Sequence, residues 1–491
     1  MIKKVKSERE NKCANINKYK NSIKILSSEN IAITLISLVI TIILLIILAG
    51  IVINISIGEN GLFKKAKYAK NEYLNAQSKE EEELNELYKQ LGVTENLPEN
   101  TKETQAGTTV KLPSKWEKYT PAYVTNEKGQ EVISSKKVSS VYAVSAGNGE
   151  TVPIPYVFYY VGGNLGSGVV ISDNKEDKNK YAGESDVPNG VKVENGKFVD
   201  ILKGNQFVFI PCTQSEYHKT NWANGKQGNV SGVSDCYWGI EISTLELAQI
   251  KKYEGFYVGR YEAGLPTSQD GFTGENAFES ALSTTSSTLV GGSTQYNSTK
   301  IPISKAGREP WNFIDYNNSW ASAQKMYTTH SVQSGLITGT QWDVMLNKIV
   351  SIDETKNLTD SKTWGNYALG ETFNYTGKTA EYNKADNKLY GYGEIEENKT
   401  KMNNSNKLLT TGASEHNKAY NLYDVAGNLY EWTEESAVIS SSLETLATNR
   451  IVRGGSFVNT SNSTPVIMRA GNLLGTSSNY FNGFRTVLYI I

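Results

Sequence analysis

Residue types that usually carry chemistry are few and scattered in this 491-residue chain. There are three histidines, His218, His330 and His416, and three cysteines, Cys13, Cys212 and Cys236. The histidines are far apart and show no H-x-x-x-H-x-E spacing, so they read as isolated surface residues rather than as a metal-binding set. Cys212 and Cys236 either form a disulfide or remain two buried thiols, because sequence spacing does not reveal whether their Cα atoms come within bonding range. No cysteine falls in the final 250 residues. The densest store of hydrogen-bonding groups is Ser456 to Asn482, where 13 of 27 residues are Ser, Thr or Asn and Arg469 carries the only charge. Its hydroxyls have no base nearby in sequence to make them nucleophiles. Small polar residues around aromatic anchors such as Tyr480 and Phe481 suit a binding loop, although polar composition is also what ordinary loops have.

The segment is framed by Tyr423-Asp-Val-Ala-Gly-Asn-Leu-Tyr-Glu-Trp-Thr433 and Arg453-Gly-Gly-Ser-Phe457 before it, and by Gly483-Phe-Arg485 after it. Gly427-Asn428 is a turn dipeptide, and Gly454-Gly455 allows positive φ or close backbone approach. Taken in order, these motifs resemble the C-terminal half of the formylglycine-generating enzyme (sulfatase-modifying factor) family, whose fold is a variant of the C-type lectin fold. Upstream, Phe207-Val-Phe-Ile-Pro211 resembles the family's opening strand and Phe256-Tyr-Val-Gly-Arg-Tyr-Glu262 its next one. Trp311 to Tyr327 is similar to the segment leading into the first helix, and Leu336-Ile-Thr-Gly-Thr-Gln-Trp-Asp343 to the start of the next.

The resemblance carries expectations about chemistry. Catalytic members bind copper through two cysteines downstream of the Arg-Gly-Gly-Ser motif, and the matching positions here are Asn459 and Thr464. Neither supplies the soft thiolate that copper(I) requires, so no copper is expected. A second enzymatic branch holds iron through histidines of an additional helical domain, and the three scattered histidines give no reason to expect iron. The target proteins of diversity-generating retroelements use the same fold with a variable segment in this place. On that likeness Asn459, Thr460, Ser461, Asn462, Ser463, Asn472, Ser477, Ser478, Asn479, Tyr480 and Asn482 form a ligand-binding surface for a protein or glycan. The family also binds a structural Ca²⁺ near Gly427 to Glu431, which implies Asn428 and Glu431 as oxygen ligands. Alternatively Asn428 only makes the turn and Glu431 pairs with an arginine such as Arg453 or Arg485.

The elements that must position this head are read in chain order. Residues 1–30 are a basic cytoplasmic tail, with eight Lys or Arg before residue 25. Residues 31–57 hold no charge and are long enough for a transmembrane helix; the basic flank places the tail inside and the head outside. Ile33-Thr-Leu-Ile-Ser-Leu-Val-Ile-Thr-Ile within it resembles the N-terminus of type IV prepilins, with Ala32 and Ser37 at the usual Gly and Glu positions. Residues 58–92 carry an apolar stripe (Leu62, Ala66, Ala69, Tyr73, Ala76) and read as a helical stalk suited to helix–helix association or pilin-like assembly. Residues 93–115 read as a linker, 116–152 as the segment leading into the head, and 153–491 as the head itself.

Within the head, alternating apolar runs such as Tyr156 to Val161 are separated by Gly, Asn and Asp turns. Helical signals are confined to Ser243 to Lys252, Ala321 to Tyr327 and Thr340 to Ile349. The expected class is therefore α+β, a C-type-lectin-like head rich in irregular structure on a transmembrane helix and stalk. A net charge of −1 offers no basic field for nucleic acid. The function that follows is a single-pass cell-surface protein that binds a ligand through its C-terminal segment, the other readings being a metal-dependent oxidase or a minor pilin-like subunit.

Overall fold

Runs of β-branched and aromatic residues punctuated by Asn and Gly fill most of the chain, and the backbone follows them. The computed structural model describes residues 97–125, 131–220, 236–239, 243–273, 276–278, 288–290, 297–329, 331–439 and 449–491. Twelve described non-glycine residues have positive φ, and eight of them are asparagines, among them Asn428 at +60°. Asparagine enters the left-handed region more cheaply than other side-chain-bearing residues, which is why these left-handed turn positions are mostly asparagine.

Two sheets organise the head. Their strands are β1 (Tyr159–Gly162), β2 (Val169–Ser172), β3 (Gln206–Pro211), β4 (Cys236–Gly239), β5 (Gly255–Gly259), β6 (Val332–Leu336), β7 (Tyr430–Ile439), β8 (Asn449–Arg453), β9 (Ala470–Leu474), β10 (Asn482–Phe484) and β11 (Thr486–Ile490). The first sheet runs β6-β11-β5-β3-β2-β1 and the second β4-β7-β8-β9, with β10 added in parallel to β7. β10 and β11 are one stretch of chain that changes sheets at Arg485. The C-terminal strand β11 pairs with both β5 and β6, so it lies inside its sheet.

Three α-helices occur among the described residues: α1 (Thr244–Tyr253), α2 (Tyr316–Lys325) and α3 (Gly339–Ile352). Each starts on a polar cap, at Ser243, Asp315 and Thr338, and the first and third have a reciprocal capping box with Glu246 and Gln341. Val170, Val208, Ile210, Phe256, Val258 and Val487 of the first sheet share a core with Ile250 of α1 and with Trp342, Met345, Leu346 and Ile349 of α3. A second core joins Trp311, Phe313, Trp432, Val452, Phe457 and Phe484.

This architecture corrects the expected class. The described residues are mostly sheet and irregular structure with three helices, none long and apolar enough to cross a membrane, and they include no N-terminal helical stalk. The reason is local: among the described residues only three capped runs continue as α-helices, at Ser243, Asp315 and Thr338, while most of the rest forms strands and turns. Residues 31–57 and 58–92, from which the membrane helix and stalk were read, lie outside the described residues. Glu95–Ile491 forms one compact unit. Within the segment read as linker, Thr109–Val110 pairs with the strand Val141–Gly147 and Val110 is buried.

Thr338 carries more than its cap. Its hydroxyl donates to Glu246 Oε1 at 2.8 Å while its Oγ1 accepts the Gln341 amide at 3.1 Å, and both residues are buried. Thr338→Ala removes the cap and a hydrogen bond to a buried carboxylate, and is expected to cost about 2 kcal/mol or more in urea unfolding. Thr338→Ser should recover most of that loss.

Candidate functional site

The framing motifs are built around buried charge. Glu431 on β7 and Arg485 between β10 and β11 are both fully buried. Arg485 Nε donates to both Glu431 oxygens at 3.1 and 3.0 Å, and its Nη2 donates to Oε1 at 2.6 Å. Its Nη1 also donates to the Gly259 carbonyl at 3.0 Å, and its Nη2 to the Tyr423 carbonyl at 2.9 Å. One guanidinium therefore ties the second sheet to strand β5 of the first. Beside it, Glu262 accepts Asn428 Nδ2 at 2.6 Å and the Leu429 amide at 2.9 Å. Asp424 accepts the Gly412 amide at 2.7 Å and Asn417 Nδ2 at 3.1 Å.

Burial raises these acids. It pushes Glu431 up to about 7 against the opposing pull of Arg485, and Asp424 up to about 6. Glu262 is driven well above the carboxylate range by burial and then by the charges of Asp424 and Glu431. Of the residues expected to ligate calcium, Glu431 faces Arg485 through both oxygens. Asn428 sits in the turn, its amide oxygen accepting Asn366 Nδ2 at 2.8 Å and the Leu409 amide at 3.1 Å. Arg485 thus already supplies the positive charge that a cation would bring to Glu431.

A second buried cluster anchors the motif Arg453-Gly-Gly-Ser456. Arg453 donates to Asp343 on α3 at 2.7 Å and contacts Glu435 on β7 at 3.4 Å. Arg469 pairs with the same two acids, approaching Glu435 at 2.7 Å, and Lys219 also pairs with Glu435. Burial alone would raise Asp343, but the two arginines outweigh it and hold that carboxyl below its ordinary value. Burial pushes Lys219 down to about 8 despite Glu435 beside it. Gly455, at φ +79°, backs onto the Thr464 carbonyl and the Tyr367 ring, so a side chain there would collide with both.

At the positions of the family's copper cysteines, Asn459 accepts a hydrogen bond from the Ser456 hydroxyl, and the Thr464 hydroxyl donates to the Thr460 carbonyl at 3.2 Å. Cys212 is a free, buried thiol whose pKa burial pushes up to about 12; the side chain of Cys236 lies outside the described residues. His218 is exposed, and His416 stacks on Phe373 at 4.3 Å with its pKa lowered to about 4 by burial; His330 is outside the described residues. Among the described residues no group of three or more His, Cys, Asp or Glu is arranged to hold a metal ion.

The residues expected to form a binding surface divide. Asn462 and Ser463 are exposed on a turn, while Asn459, Thr460, Ser477, Ser478, Asn479 and Tyr480 are half-buried. Asn472 lies on β9. Ser461 is buried and donates to Asp360 Oδ1 at 2.6 Å. Asn482 is fully buried in β10, so neither of these two faces solvent. Tyr480 is the hub of the rest. It stacks on Tyr382 with ring centroids 4.7 Å apart and planes 15° from parallel, and it meets Phe313, Phe457 and Phe481 edge-on or tilted. Burial and the Tyr382 hydroxyl raise its phenol above its usual range.

Tyr382 opens onto a groove of about 510 Å³ lined also by Glu381, Asn383, Tyr390, Asn404 and Asn406. None of these was singled out from sequence. They come from hairpins whose place beside the C-terminal segment is a tertiary fact, and the local Tyr and Asn content gives only a faint signal.

Residues 273–490 match the family model of the sulfatase-modifying factor enzyme 1-like domain. This part of the chain is similar to the sulfatase-modifying factor domain. It contains both arginine clusters' motifs, the Tyr382–Tyr480 stack and the whole C-terminal segment, whereas β3 and β5 lie upstream of the match. No curated protein matches the chain.

Two outcomes test the charged framework of the head. Arg485→Met leaves Glu431 buried without its partner and should destabilise the fold by about 3–5 kcal/mol, with much of the loss recovered in the Arg485→Met, Glu431→Leu double variant. Asp424, raised by burial from 3.8 to about 6, binds its proton more tightly folded than unfolded. Its contribution is therefore complete below its unfolded pKa and is lost as pH rises through about 6. The stability difference between wild type and Asp424→Asn, read as urea midpoints, should shift against wild type over that window.

Proposed function

We propose that this domain is a ligand-binding head whose contacts come from the C-terminal segment and the Tyr382 hairpin together. The observation that carries the reading is the Tyr382–Tyr480 stack: it fixes two aromatic rings at the junction of the polar segment and the Asn-lined groove. Rigid aromatic anchors surrounded by adaptable Asn and Ser are an economical way to build affinity, because few rotors are frozen on binding. Asn462 and Ser463 supply the exposed polar contacts at one edge.

The reading favours binding over oxidation. Asn459 and Thr464 offer no thiolate, and both are engaged in local hydrogen bonds that serve the turn. The ligand is a protein or glycan, and the segment between Arg453-Gly-Gly-Ser456 and Gly483-Phe-Arg485 is the part that varies between sister copies. Variation is expected at Asn462, Ser463 and Tyr480, and is expected to spare buried Ser461 and Asn482.

The test is a binding screen of the full chain against arrayed surface proteins and glycans, repeated with Tyr480→Ala and with Asn462→Ala/Ser463→Ala. Loss of the captured ligand at unchanged thermal midpoint supports the reading. Copper-dependent conversion of a cysteine-containing peptide to an aldehyde, at the expense of oxygen, would sink it.

A further inference from the structure

A second groove, remote in sequence from the C-terminal segment, has no part in the reading above. It encloses about 420 Å³, within the roughly 300–1,000 Å³ of small-molecule sites. Its walls come from the N-terminal end of α1, the outer side of α2, the turn before β6, and Glu434 of β7. Trp320 of α2 stands in the wall and is 40% exposed, one of few large apolar side chains left in solvent. Gln324, Thr328 and Gln333 line the same groove, all exposed, and their side chains make no hydrogen bond to another described residue. Tyr489 closes the floor.

The charge of the groove narrows its occupant. Among the described residues Glu434 is its one acid, and it already has a cation within its field. The guanidinium of Arg450 lies 4.2 Å from the Tyr316 ring and lowers the Glu434 carboxyl, while burial, and after it Glu246, raises it to about 7. A second cation would compete with Arg450, and a carboxylate or phosphate would meet Glu434 with no free cation in the wall. A neutral ligand avoids both costs.

We propose that this groove is a saccharide site, in which a pyranose ring packs its C–H face on Trp320 and its hydroxyls are bound by Gln324, Thr328, Gln333 and Glu434. An aromatic face takes up the apolar side of the ring. Planar amides and a carboxyl each pair a donor with an acceptor, as a hydroxyl needs. Near neutral pH the Glu434 carboxyl is present in both forms and so donates as well as accepts.

The experiment titrates the full chain with cellobiose, N,N′-diacetylchitobiose and mannobiose, and with tetramethylammonium as the cationic probe, following indole fluorescence and saturation-transfer NMR. One of the disaccharides is expected to bind, with affinity at least about tenfold weaker in Trp320→Ala and in Gln324→Ala/Gln333→Ala. Both variants alter exposed side chains, so their thermal midpoints should match wild type. Tyr480→Ala should bind the sugar as wild type does, which separates this site from the C-terminal face. Absence of disaccharide binding, or binding that Trp320→Ala leaves unchanged, overturns the proposal. Trp320-dependent binding of tetramethylammonium in place of the sugars overturns it too, in favour of a cation cage.

Discussion

The Glu431–Arg485 pair is the interaction on which the head depends. Burying two charges without water is costly, and the cost is met only when geometry is good and every remaining donor finds an acceptor. In Arg485 all three guanidinium nitrogens donate, to the Glu431 carboxylate and to the carbonyls of Gly259 and Tyr423. Because the last strands change sheets at this residue, its hydrogen bonds also fix where the two sheets meet. An alternative crossing would leave a guanidinium or a carboxylate stranded in an apolar core. The pair therefore contributes specificity of arrangement more surely than net stability.

The second charged cluster applies the same logic to α3. Arg453 and Arg469 share Asp343 and Glu435, so the helix, β7 and the segment after the Arg-Gly-Gly-Ser motif are joined by one set of ion pairs. The C-terminal segment is thereby held at three points, Arg453 before it, Arg469 within it and Arg485 after it. Between those points the side chains at the surface contribute little to the core. A loop tethered in this way tolerates changes of exposed residues, since the buried arginines and the motif glycines maintain its path. That separation of framework from surface is what a binding head with adjustable contacts requires.

The two grooves differ in chemistry as well as place. The one beside Tyr382, whose ring stacks on Tyr480 of the C-terminal segment, is lined by asparagines, tyrosines, Glu381 and Lys384. The one beside Trp320 lies among α1, α2 and β6 and is lined by glutamines, one acid and an exposed indole. Their separation in sequence, and the absence of shared lining residues, means that the head presents two surfaces able to act independently.

Much of this was legible in the sequence. The order of the Tyr423–Thr433, Arg453–Phe457 and Gly483–Arg485 motifs pointed to the likeness to the sulfatase-modifying factor domain that residues 273–490 share, because turns and close approaches demand glycine and asparagine at fixed places. Among the described residues the helices lie near the expected Ser243 to Lys252 and Thr340 to Ile349, whereas the second begins at Tyr316, before the expected Ala321, because Asp315 caps it there; β3 and β5 lie where apolar residues cluster. Local patterns determine local structure, and there the reading held. The α+β class did not hold, because three short helices are a small share of a head made mostly of strands and turns. What only the tertiary structure decided is which partners meet. Sequence offered Glu431 either a cation or an arginine, and the fold puts both of its oxygens against Arg485. It offered Ser461 and Asn482 to solvent with their polar neighbours, and the fold buries them, since polarity does not reveal which side of a turn or strand a residue faces. Tyr382 and Trp320 gave no local sign of their surroundings. Their grooves exist because distant segments converge, and that convergence is set by the packing of the whole core.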